Sequence, residues 1–156
     1  LVPERPEEVT TEGGLDLITV GNRAVEVATE LAAAGISVSV FIDPEPTQIE
    51  WLIARGSESI QGFEINTDRY AKAASPEEIE RQLEAIRESA QAGAAAGLHV
   101  YAGHALTTDN VGAIVAIEPI EELNIGHFLI GRAVIVGLHQ AVREMLEAMQ
   151  SPVSLS

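Results

Sequence analysis

Four short runs rich in β-branched or aromatic residues, 36–42, 62–66, 98–103 and 123–127, are separated by stretches with helical periodicity. That alternation admits few folds. Strands interleaved with helices of about 10 to 20 residues build βαβ units, hence a parallel sheet with right-handed crossovers, and the class is α/β. The helical stretches are 16–34, 46–55, 75–97, 110–117 and 135–149. The first places Val20, Ala24, Val27 and Leu31 on one face and stops at Gly35. The third opens with Ser75-Pro76-Glu77-Glu78, a capping residue followed by proline and acids, and its apolar stripe is Ile79, Leu83, Ile86 and Ala90. No low-complexity linker divides the chain. Residues 1–156 read as one domain or part of one, with 151–156 a frayed tail.

Charge and composition narrow the partners. Nine Lys+Arg against 24 Asp+Glu leave a formal net charge of −15, without a basic stripe to neutralise phosphates or meet anionic lipid. Nucleic acid and membranes are therefore not expected partners. The apolar stretches are broken by Gly, His, Asn or Glu well before the ~18 residues of a membrane span. The acidic, Pro-containing start lacks the pattern of a signal peptide. The absence of cysteine excludes disulfides and thiolate chemistry and fits a reducing compartment, and the expected location is cytoplasmic.

The chemically rich turns follow the strands: Asp43-Pro44-Glu45, Asn66-Thr67-Asp68, Gly103-His104-Ala105 and Gly126-His127. In parallel α/β sheets and barrels, that edge holds the site. His104 sits at the mouth of the third strand and is the best acid–base candidate, against a structural histidine bonded to a loop carbonyl. Glu64 lies mid-strand. A carboxylate there either faces solvent on an edge strand or points into a polar site. Asp43 suits a turn acid better than a catalytic one. Gly126 and His127 end the fourth strand at a Gly-bounded turn whose backbone N–H groups can take an anion. Arg132 could add a positive charge there, although an arginine at a helix start is more often solvated. The only lysine, Lys72, falls in a polar loop.

Five segments in order carry a family resemblance: Leu1-Val2-Pro3-Glu4; Glu8-Val9-Thr10-Thr11-Glu12-Gly13-Gly14-Leu15-Asp16; Val38-Ser39-Val40-Phe41-Ile42-Asp43; Ala102-Gly103-His104-Ala105-Leu106-Thr107; and Glu122-Leu123-Asn124-Ile125-Gly126-His127, continued by Ile130-Gly131-Arg132-Ala133. The chain resembles the pyridoxine 5′-phosphate synthases over nearly its whole length. The resemblance implies a (βα)8 TIM barrel of which this chain supplies roughly the second half, the end of strand 4 and strands 5 to 8 with their helices. It implies a transferase of vitamin B6 synthesis. That enzyme condenses 3-amino-2-oxopropyl phosphate with 1-deoxy-D-xylulose 5-phosphate to pyridoxine 5′-phosphate, without metal or organic cofactor. By the same resemblance His104 is an acid of the last steps and Glu64 a transition-state stabiliser. Thr10 contacts the xylulose phosphate, Ala105, Gly126 and His127 contact the aminoketone phosphate, and the assembly is a homo-octamer.

Three departures accompany the resemblance. The family usually has glycine where this chain has Ala105, tolerable if the backbone there avoids positive φ. The usual Glu-Ile-His-Thr-Gly segment reads Glu64-Ile65-Asn66-Thr67-Asp68. The family's first three strands, with its other catalytic histidine and glutamate and its substrate-holding arginines, have no counterpart among these residues. The expectation is a truncated or processed portion of the whole enzyme. The alternative is a catalytically incomplete half-barrel that dimerises and binds a phosphorylated ligand.

Overall fold

The computed structural model describes residues 1–3, 13–56 and 58–150. Its element order is α1 (Leu17–Ala33), β1 (Ser39–Ile42), α2 (Pro46–Arg55), β2 (Gly62–Asn66), α3 (Asp68–Lys72), α4 (Pro76–Ala95), β3 (His99–Gly103), α5 (Val111–Val115), β4 (Glu122–Asn124), α6 (His127–Val136) and α7 (Leu138–Gln150). The strands form one four-stranded sheet in sequence order, every pair parallel. The α/β class and parallel sheet inferred from the alternation are thus observed.

Strand alternation decides which side chains meet the helices. Val40, Ile42, Phe63, Ile65, Val100 and Ala102 share one face and are all fully buried. Gly93 of α4 lies against the Phe63 ring so closely that a β-carbon there would come within 2.2 Å of it. The opposite face carries Phe41, Glu64, Tyr101 and Glu122, paired across the strands in one row. One side of the sheet is therefore a hydrocarbon core and the other is polar.

Helix starts follow local chemistry. Asp16 caps α1 by accepting from Ile18 N, and Ser75 caps α4 by accepting from Glu78 N at 3.2 Å. Proline opens both α2 and α4. The core side of α1 is rotated from the expected stripe: Leu17, Gly21, Ala24 and Ala28 are buried, whereas Val20 is exposed. Small residues win that face because α1 approaches the Trp51 ring of α2 closely at Gly21.

Two corrections concern the C-terminal part. His127 does not end the fourth strand. β4 stops at Asn124 and His127 is the first residue of α6. The expected helix 135–149 is two helices, broken at Gly137, whose φ of +85° suits only glycine at little cost. Arg132 is the one charged side chain between Phe128 and Val136, so no polar stripe betrays the helical period. Lys72, read as part of a loop, closes the short helix α3.

Among the described residues the sheet ends at β1 and at β4. At β1 the amino-terminal residue runs alongside, Leu1 N donating to Ser39 O at 2.5 Å and Phe41 N to Leu1 O at 3.0 Å. At the far end, α6 buries none of its residues, and Ile130, Val134 and Ile135 are 62%, 79% and 77% exposed. Among the described residues no helix is long and apolar enough to cross a membrane.

Candidate active site

A cavity of about 600 Å³ opens at the carboxyl ends of the strands, on the polar side of the sheet. His104, Ala105, Glu64, Gly126 and His127 all line it, together with Asn124, Asp68 and Lys72. Five of the six residues singled out from the sequence thus share one wall-to-wall space. The sixth, Thr10, lies outside the described residues.

His104 is presented by an unusual turn. It and Ala105 follow β3 with φ of +82° and +57°, a left-handed region that residues with a β-carbon enter at a cost of about 1–2 kcal/mol each. The surroundings over-determine the turn. The fully buried Thr67 hydroxyl hydrogen-bonds Gly103 O at 2.8 Å and lies 2.5 Å from His104 O, while Thr67 N donates to Gly103 O at 2.9 Å. From the other side Asn110 Nδ2 donates to Ala105 O at 3.2 Å, and Asn110 Oδ1 accepts from Thr107 N at 2.7 Å. The imidazole tilts against the Phe41 ring, centroids 6.2 Å apart. Its Nε2 stands 3.5 Å from Asp68 Oδ1.

Glu64 occupies the sheet's polar face with one oxygen accepting from Asn124 Nδ2 at 2.8 Å. Burial raises the carboxyl above its ordinary pKa, against the lowering effect of that hydrogen bond, and neighbouring Glu122 adds to the rise. Gly103 makes the arrangement possible, since a β-carbon there would fall 2.2 Å from Glu64 Oε1. A raised folded-state pKa means that the folded chain binds this proton more tightly than the unfolded chain. Stability therefore falls as pH rises from the unfolded value through the folded one. Glu64→Gln removes that loss. Its stability relative to wild type should rise between about pH 4 and about pH 7, read by urea unfolding at both; a pH-independent difference contradicts the burial of a charged Glu64.

Gly126 forms the N-cap of α6 without a side-chain hydrogen bond, and Gly126, His127 and Phe128 turn the start of this ten-residue helix into the cavity wall. The first-turn N–H groups of a helix and its positive dipole end suit an anion. Arg132 does not serve it: the guanidinium forms a two-point pair with Glu144 of α7, at 2.7 and 3.1 Å. Asp43 is a structural acid, accepting from Gly14 N at 3.1 Å and Asn66 Nδ2 at 2.8 Å.

With this geometry, similarity to known proteins is decisive. Residues 1–151 match the family described as pyridoxal phosphate biosynthesis protein PdxJ. The chain belongs to that family. It is 51% identical over 152 residues to the pyridoxine 5′-phosphate synthase of Thermosynechococcus vestitus, covering 97% of this chain and 62% of that protein. The enzyme of the same name from a Synechococcus strain is 48% identical over 149 residues, covering 96% of this chain and 61% of the relative. That of Coxiella burnetii is 49% identical over 145, covering 93% and 59%. The chain spans about three fifths of the length of the curated relatives it matches.

Within this PdxJ chain, Ala105 needs the positive φ that glycine supplies freely, so the condition for its easy tolerance is not met. Ala105→Gly should stabilise the protein by about 0.5–1 kcal/mol, the left-handed penalty less the extra chain entropy of glycine. Urea unfolding measures it, and a destabilised variant contradicts the strain. Thr67, Asn110 and Asn124 are the supporting residues that sequence reasoning missed. The Asn66-Thr67-Asp68 turn carried a signal, because polar residues immediately after a strand crowd the edge where sites form.

Proposed function

We propose that this chain is the C-terminal part of a pyridoxine 5′-phosphate synthase, joining 3-amino-2-oxopropyl phosphate and 1-deoxy-D-xylulose 5-phosphate by acid–base catalysis. The observation that carries the reading is the convergence of His104, Glu64 and the start of α6 on one cavity, in a chain of the PdxJ family. Imine formation, phosphate loss, ring closure and dehydration each move protons, which a positioned imidazole and a carboxylate of raised pKa can relay. In this reading His104 is the acid of the last steps and Glu64 stabilises charge in the transition state. The N–H groups at Gly126 and His127 hold the aminoketone phosphate beside Ala105, and Thr10 contacts the other phosphate. The chemistry so described needs no cofactor.

The same proposal completes the sheet. Further strands close a (βα)8 barrel, with residues 1–3 ending the fourth strand and β1 to β4 serving as strands five to eight. The main-chain bonds of Leu1 to β1 and the uncovered apolar side of α6 support this reading. A cytoplasmic homo-octamer taking small phosphorylated substrates, and neither nucleic acid nor membrane, belongs to the proposal too.

Growth tests it. A pyridoxine-requiring strain lacking its own synthase should grow without the vitamin when it expresses the full-length protein; soluble protein without rescue contradicts the function. The ends of the sheet also suit a second reading, a half-barrel that pairs with another copy and binds a phosphorylated ligand without turnover. The native intact mass separates the two, ~250 residues for a complete barrel against 16.6 kDa for this chain alone.

A further inference from the structure

We propose that Asp68 is the positioning residue of His104, holding the ring by Nε2 so that Nδ1 is the nitrogen that exchanges protons with the substrate. The proposal rests on the acid role assigned to His104 above. Asp68 is the first residue of α3, directly after the Thr67 that grips the His104 turn. Thr67 thus fixes the backbone of His104 and Asp68 addresses its side chain, from two successive positions of one segment.

The carboxylate is held by Lys72, and the backbone that carries it by Asn66. Asp68 Oδ2 stands 2.8 Å from Lys72 Nζ, one helical turn later. Asp68 N donates to Asn66 Oδ1 at 3.0 Å, and Asn66 is anchored to Asp43. Oδ1 is left facing His104 Nε2 at 3.5 Å. The two side chains are only 13% and 24% exposed, so solvent screens the pair less than it screens an ordinary surface ion pair. The Phe41 ring flanks the imidazole at a 47° tilt, centroids 6.2 Å apart.

A neutral imidazole carries one N–H, and its partner decides which nitrogen has it. A carboxylate oxygen at Nε2 selects the Nε2–H form and leaves the Nδ1 lone pair to take up and return protons. This is the same division of labour by which second-layer carboxylates orient histidines elsewhere.

Nitrogen-15 NMR of histidine-labelled full-length protein, at a pH where the ring is neutral, reads the tautomer directly. The expected result is Nε2–H at His104 in wild type and a mixture in Asp68→Ala, with kcat lowered about 3- to 10-fold and KM nearly unchanged. A merely structural role for Asp68 would not move the tautomer. An Nδ1–H ring in wild type overturns the proposal even if the variant does not fold. An unchanged tautomer ratio in the variant, or an unchanged kcat, overturns it as well. Complete absence of turnover in wild type sinks the enzyme reading instead, and the spectrum still decides the Asp68 contact.

Discussion

Replacing His104 with alanine should lower pyridoxine phosphate formation by about 10²- to 10⁴-fold, the usual contribution of a positioned general acid, while the affinity for phosphorylated substrate stays within a few fold. The separation follows from geometry. The imidazole is one wall of the cavity, whereas the anion site proposed above would use main-chain groups at the start of α6, a different element. Alanine keeps a β-carbon at the φ +82° position, so the turn gains no new backbone strain, and the Thr67 bonds to its carbonyl groups survive. Steady-state turnover together with calorimetric phosphate binding measures both quantities. Unchanged turnover would remove His104 from the mechanism; lost binding with retained turnover would place the anion site on the histidine instead.

The second large effect concerns α6. Ile130 and Val134 are one helical turn apart, and both are highly exposed in a helix with no buried residue. If further strands and helices cover this face in the full-length protein, each side chain contributes about 1.5–3 kcal/mol of burial. The double variant Ile130→Ser/Val134→Ser should then destabilise that protein by roughly 3–6 kcal/mol. On a solvated face the same pair of changes stays within about 0.5 kcal/mol per site. Urea unfolding of the full-length protein distinguishes these, and a near-neutral result contradicts closure of the barrel over α6.

What could be read from the residues, and what could not, has physical causes. β1, β2 and β3 stand out because both of their ends carry breakers and their interiors are β-branched or aromatic. Ser75-Pro76 announces α4 for the reason it forms, a hydroxyl cap followed by a residue that needs no N–H partner. α6 was hidden because, apart from His127 and Arg132, its side chains are apolar on every side, which erases the contrast that periodicity needs. For His127 the error moved one residue from a strand end to a helix start yet left it on the same cavity. The candidate residues themselves were legible through their position after strands. Their supports were not: nothing in Thr67 or Asn110 signals a left-handed turn thirty or more residues away in the case of Thr67, since side chains that hold another segment's carbonyl groups declare themselves only in three dimensions. Ala105 hid the same turn, because a residue with a β-carbon gives no warning of positive φ.

The most direct measurement incubates purified full-length protein with 1-deoxy-D-xylulose 5-phosphate and 3-amino-2-oxopropyl phosphate and follows pyridoxine 5′-phosphate by chromatography alongside released phosphate. The account predicts that the two products form in equal amounts and that His104→Ala slows both by the same factor of about 10²- to 10⁴-fold. Tight binding of the phosphorylated substrates with neither product formed would contradict it.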